Sequence, residues 1–152
     1  MDGVSTSAGG SALNAIRAAN FMLSDTHPKA TTYFGCVGRD DYARTLEEEL
    51  EKNGVNFSFH KDDSTPTGTC AVVVRGKERT LCANLGACLK YPKEHLLDNI
   101  NAYKNAKLIY TTAFFISSNY EAQIELAKYA AEHNKPLGFN LSAGFLIRFS
   151  TE

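Results

Sequence analysis

The chain has no tryptophan, no long apolar run and no surplus of either charge, and these absences close off whole classes of function. No stretch approaches the roughly 20 apolar residues that a membrane span needs. The first ten residues, MDGVSTSAGG, have neither the basic start nor the apolar middle of a secretory leader. A formal net charge of -1 leaves no basic field for nucleic acid and no acidic surplus for a disordered tail. The cysteines, at 36, 70, 82 and 88, form no CxxC, and the histidines at 27, 60, 95 and 133 stand at no zinc-finger interval from them. Reduced, mostly buried thiols are therefore expected, in a protein of the cytoplasm with the nucleus as a second compartment, and with neither nucleic acid nor membrane as partner. Internal repeats and low-complexity segments are absent as well.

What remains is 152 residues, enough for one packed domain and too few for two comfortable ones. Leu13, Ile16, Ala19 and Leu23 recur at three and four, which predicts a helix from Ser11 to about Ser24. TTYFGCVG (31–38) reads as a strand, and Asp40 and Asp41 open a second helix with Ala43, Leu46 and Leu50 inward and Gly54 as its stop. NFSFH (56–60), CAVVVR (70–75) and RTLCANL (79–85) follow with no helix between them, which predicts a three-stranded meander. A helix near 93–104, a strand KLIYTT (107–112), a helix marked by Tyr120, Ile124, Ala127 and Ala131, and a strand KPLGFNLS (135–142) complete the pattern. The expected fold is α/β, with a core over 1–54 and 86–152 and a small β lid over 55–85. In such sheets ligands sit outside the carboxyl ends of the strands, which singles out GCVGRDD, TAFFISS and NLSAGF.

Several stretches can carry chemistry. In AGGSALNA (8–15) the glycines let backbone approach a ligand, Ser11 can cap the following helix, and the Asn14 amide suits a vicinal diol. Close helix packing, with Asn14 bonded to local backbone, explains the same residues. Arg79 can bind a phosphate or be solvated; Leu81, Ala83 and Leu85 can floor a flat ligand or pack a lid on its own domain. Phe114 and Phe145 can sandwich a base or fill a core. The acidic run EEELE (47–51) reads as a solvated helix face, and no Ser/His/Asp order, HExxH or paired carboxylate set is present.

Taken in order, AGGSALN, FGCVGRDDYA, PTGTCAVVV, ERTLCANL, the AFF after a strand and NLSAGF resemble the ribokinase-like (PfkB) carbohydrate kinases, and among them those that act on adenosine. The resemblance implies a mostly parallel central sheet flanked by helices, with a small inserted β-meander as lid. It implies transfer of the γ-phosphate of ATP to the 5′-hydroxyl of adenosine, giving AMP and ADP in purine salvage, with ATP and Mg2+ as cofactors and a usually monomeric protein. By the same resemblance Gly10, Ser11 and Asn14 hold the ribose. Cys70, Leu81, Ala83 and Leu85 line the lid side of the purine pocket. Phe114 stacks on the adenine, Phe145 closes the apolar wall, and Arg79 steadies the transferring phosphate charge as the catalytic residue.

Three family features have no counterpart in these 152 residues: a first strand with a ribose-gripping aspartate, an NxxE segment serving Mg2+, and a D-T-x-G-A-G-D stretch bearing the base and anion hole. No metal ligand is therefore expected here, and the chain reads as a fragment without appreciable kinase activity of its own. A non-catalytic nucleoside-binding relative and a sugar kinase of the wider family are the alternatives.

Overall fold

A computed structural model describes residues 3–149. Helix α1 (Ser11–Leu23) leads into strand β1 (Thr32–Val37), helix α2 (Asp41–Lys52) and strand β2 (Asn56–Lys61). Strands β1 and β2 pair in parallel from Thr32↔Asn56 to Val37↔Lys61, with α2 as the crossover. Asp40 starts α2 as expected, its carboxylate accepting the Ala43 N–H at 2.9 Å. Strands β3 (Thr69–Arg75) and β4 (Glu78–Asn84) form an antiparallel hairpin, paired from Thr69↔Asn84 to Arg75↔Glu78. A 3-10 turn (Gly86–Lys90) and the short helices α3 (Lys93–Asp98) and α4 (Ile100–Tyr103) lead to strand β5 (Ile109–Thr112). Helices α5 (Phe114–Ser118) and α6 (Tyr120–Glu132) precede strand β6 (Leu137–Asn140), which pairs in parallel with β5, and α7 (Gly144–Phe149) follows.

Strand β1 is covered on both faces, the usual condition of a parallel strand fed by a crossover helix. Tyr33 points into a cluster around Leu13, Leu50 and Val55, which joins α1 and α2 to the β1–β2 pair. One residue along, the period-two alternation turns Phe34 and then Cys36 into a second cluster with Tyr91, Leu96, Tyr103, Ile109 and Leu126. That second cluster ties β1 to β5 and α6, so the α/β class expected from the sequence holds. Among the described residues no helix is long and apolar enough to cross a membrane.

Several details differ from expectation. Segment 56–61 is a strand beside β1, because α2 returns the chain in parallel, so the expected three-stranded meander is a two-stranded hairpin. The parallel strands form two separate pairs, with no hydrogen bonds between β1–β2 and β5–β6 among the described residues. The helix near 93–104 breaks at Asn99, whose side-chain amide donates to the His95 carbonyl at 2.8 Å and competes with the helical ladder. Helix α6 buries Ala122, Gln123, Leu126 and Ala130 and leaves Tyr120 exposed, a face rotated from the expected one. Its rotation brings Gln123 to accept a buried hydrogen bond from Thr111 on β5. Finally, of the four thiols only Cys36 is buried; Cys70 and Cys82 are exposed on the hairpin.

Candidate functional site

The expected site residues fall into three groups: at the start of α1, on and just past the β3–β4 hairpin, and beyond the ends of β5 and β6. At the start of α1 the capping residue is Gly10, with φ 123° and ψ 141°, a backbone conformation that only glycine adopts without strain. The first backbone bond of the helix runs from the Asn14 N–H to the Gly10 carbonyl at 2.9 Å, so the N–H groups before Asn14 have no helical acceptor. Ser11 is the first helical residue and not the cap, and no side chain caps this end. The Asn14 side chain is exposed and bonds to no other described residue, so its local-backbone role is excluded and its donor and acceptor are free.

On the hairpin, Cys70 lies opposite Ala83, Val72 opposite Leu81 and Val74 opposite Arg79. Directly paired residues share a face and alternate residues along a strand share it too. Cys70, Arg79, Leu81 and Ala83 therefore stand on one face of the ribbon, while Cys82 stands on the other. Every residue of β3 and β4 is exposed, and Arg79 makes no ion pair with a described residue. Leu85, just past β4, is exposed as well.

The third group follows the carboxyl ends of β5 and β6. The Ala113 N–H donates to the Asn140 carbonyl at 2.8 Å, which keeps the two strand ends together as the chain turns into α5 and α7. Phe114 opens α5 and Phe145 lies in the first turn of α7; their ring centroids are 6.4 Å apart at an interplanar angle of 59°. Both rings are partly exposed. The two rings are neighbours, but tilted rings at this spacing leave no parallel slot between them. α1 packs against both β1 and β5, the strand that leads into Phe114.

An open cleft lies elsewhere. It measures about 440 Å3 and is bounded by Asp40, Asp41 and Tyr42 at the start of α2 and by Pro66, Thr67, Thr69 and Asn84 at the foot of the hairpin. Asp40 is the centre of this region: besides capping α2 it accepts the Thr67 N–H and the Thr67 hydroxyl, each at 2.7 Å. Burial pushes its carboxyl up, but the Thr67, Ala43 and Tyr42 hydrogen bonds outweigh that and hold it below the ordinary aspartate value. Asp40 reads from the sequence as a helix start; its contact with Thr67, 27 positions on, has no local signal. Among the described residues no group of three or more His, Cys, Asp or Glu side chains is arranged to hold a metal ion.

The description "pfkB family carbohydrate kinase" matches residues 1–145. The adenosine kinase of Schizosaccharomyces pombe is 44% identical over 98% of this chain, and adenosine kinase 2 of Arabidopsis thaliana is 39% identical over 93%. Among solved structures, Anopheles gambiae adenosine kinase, in complex with P1,P4-di(adenosine-5) tetraphosphate, is 42% identical over 95% of this chain, with a TM-score of 0.88. Adenosine kinase from Schistosoma mansoni, in complex with adenosine in an occluded loop conformation, is 27% identical over 99%, with a TM-score of 0.93. The chain spans 44% and 41% of the two curated relatives and 42% and 44% of the two solved chains. A match over nearly the whole of these 152 residues, on a ribokinase-like fold, shows that the chain belongs to the pfkB family of carbohydrate kinases.

Proposed function

We propose that this chain supplies the nucleoside-binding part of an adenosine kinase, a phosphotransferase that uses ATP to convert adenosine to AMP. The observation that carries this reading is the Phe114–Phe145 pair at the ends of two adjacent parallel strands, an apolar wall that a heterocyclic base needs and a free sugar does not. Gly10, Ser11 and the uncommitted Asn14 amide take the ribose, the glycine by close backbone approach and the asparagine by pairing with its hydroxyls. Cys70, Leu81 and Ala83, from the shared face of the hairpin, and Leu85 below it, cover the purine. Arg79, on that same face and without an ion-pair partner among the described residues, is the catalytic cation that meets phosphate charge on the nucleotide.

ATP supplies the phosphoryl group and Mg2+ neutralises its charge in this chemistry, and the part of the residues named above is to bind and orient the acceptor. The 152 residues alone are accordingly expected to bind adenosine and to turn over no ATP. Calorimetric titration of the chain with adenosine and, separately, with ribose tests the reading. Adenosine should bind and ribose should not compete, and Phe114→Ala should weaken adenosine by about tenfold, the order of one aromatic stacking contact. Equal competition by ribose would favour a sugar kinase, and an unchanged Kd in Phe114→Ala would remove the stacking role.

A further inference from the structure

The hairpin stands on one point. None of the residues of β3 and β4 is buried, and the two chain segments that join the hairpin to the body, Pro66–Gly68 going in and Leu85–Ala87 coming out, cross in direct backbone contact. The Ala87 N–H donates to the Pro66 carbonyl at 2.8 Å. Gly86 has φ +50°, and a Cβ there would lie 2.4 Å from the Pro66 oxygen; a Cβ on Gly68 would lie 2.5 Å from the Leu85 oxygen. Only backbone fits at this crossing.

Thr67 sits at its centre, buried, with its N–H and its hydroxyl both engaged. Its N–H donates to Asp40 Oδ2, its hydroxyl donates to Asp40 Oδ1, and the same hydroxyl accepts the Gly38 N–H at 2.9 Å. Asp40 itself is fixed, since Oδ1 also accepts the Ala43 N–H in capping α2. One carboxylate thus links the start of a core helix to the foot of a hairpin whose own strands are exposed along their whole length. We propose that Asp40 is a positioning residue: through Thr67 it sets the pivot of the β3–β4 hairpin, and with it the angle at which Arg79, Leu81 and Ala83 face the ligand. The ligand part of this assignment rests on the nucleoside reading above; the pivot itself does not.

The substitution Asp40→Asn separates the two tasks of the carboxylate. Asparagine remains a good helix cap, so α2 keeps its start. With its oxygen kept on the cap, its amide nitrogen at the Oδ2 position cannot accept from the Thr67 N–H, so one of the two bonds to Thr67 is replaced by a donor facing a donor. Thr67→Val removes the hydroxyl and leaves the Gly38 N–H unpaired, whereas Thr67→Ser keeps every bond.

Amide hydrogen exchange and adenosine titration on the 152-residue chain read both effects. Asp40→Asn and Thr67→Val should speed exchange at Ala87 by about tenfold or more, as expected when a charge-assisted hydrogen bond is lost, while α2 amides stay protected. Adenosine Kd should rise by about tenfold in both, and Thr67→Ser should restore both readouts. Unchanged exchange at Ala87 in Asp40→Asn would overturn the pivot, and faster exchange with an unchanged adenosine Kd would overturn its role in positioning. If Asp40→Asn also exposes α2, the Thr67→Val and Thr67→Ser pair decides by the same readouts. If the unsubstituted chain takes up no adenosine, the nucleoside reading falls, while faster exchange at Ala87 rescued by Thr67→Ser still supports the pivot.

Discussion

Asn14 carries an exposed amide in the first turn of α1 that bonds to no other described residue. Asn14→Ala should therefore leave the thermal midpoint unchanged or slightly raised, since alanine has the better helix propensity by roughly 0.5 kcal/mol, while adenosine affinity falls by about tenfold. A buried neighbour behaves in the opposite way: Leu50→Ala, in the cluster that joins α1 and α2 to β1, should cost about 2–5 kcal/mol and leave the intrinsic ligand contacts intact. Denaturant unfolding beside calorimetric titration distinguishes the two, and a destabilised Asn14→Ala with normal affinity would make Asn14 structural. At this scale residue identity was legible and environment was not. AGGSALN announces a glycine-started helix, and Gly10 does adopt a glycine-only conformation. Whether Asn14 is committed to backbone depends on neighbours that arrive from other parts of the chain. The acidic run shows the same limit: Glu49 pairs with Arg17 and Glu47 with Lys61, each at 2.7 Å, so the face expected to be simply solvated is partly tied to α1 and β2.

Among the elements, those with strong local signals formed where the sequence placed them: α2 between Asp40 and Gly54, and the hairpin around the Gly76 turn. In segment 56–61 strand periodicity marks a strand and says nothing about its partner; parallel pairing with β1 follows from the α2 crossover, a non-local event. The face of α6 was misjudged for a related reason, since Thr111 on β5 selects Gln123 by a buried hydrogen bond. The hairpin has a consequence that labelling can read. Cys70 and Cys82 are both exposed, on opposite faces of the ribbon, whereas Cys36 is buried. A thiol reagent should modify Cys70 and Cys82 quickly in the folded chain and Cys36 only on unfolding. Adenosine should protect Cys70 and leave Cys82 unaffected, as mapped by mass spectrometry; equal protection of both would mean that the ligand does not select the Arg79 face.

For the molecule as a whole, buried protonated groups set an alkaline limit to stability. Burial, with smaller contributions from Asp62 and Cys88, pushes the Cys36 thiol from 9.0 up to about 11, and burial first, then Cys88, pushes the Tyr33 hydroxyl from 10.0 up to about 12. The unfolded chain releases these protons first, so stability is full below about pH 9 and is lost as pH rises from there through the folded values. The thermal midpoint should hold between about pH 6 and 8 and fall above 9, and Cys36→Ala should flatten the first part of that fall; no change between pH 8 and 10.5 would count against it. At the acid end the sign reverses. Asp40 is held below its ordinary value, so its contribution is present above about pH 4 and disappears as pH falls through its lowered value. The Asp40 link also has a mechanical meaning. Seven residues of strand extend about 23 Å at roughly 3.3 Å each, so the hairpin is a lever whose short end is the Thr67 contact. A rotation of only about 10° at that end sweeps the far turn through about 4 Å, more than the length of a hydrogen bond. Arg79 sits next to that turn, so the placement of its charge is decided some 20 Å away, at the Thr67 contact.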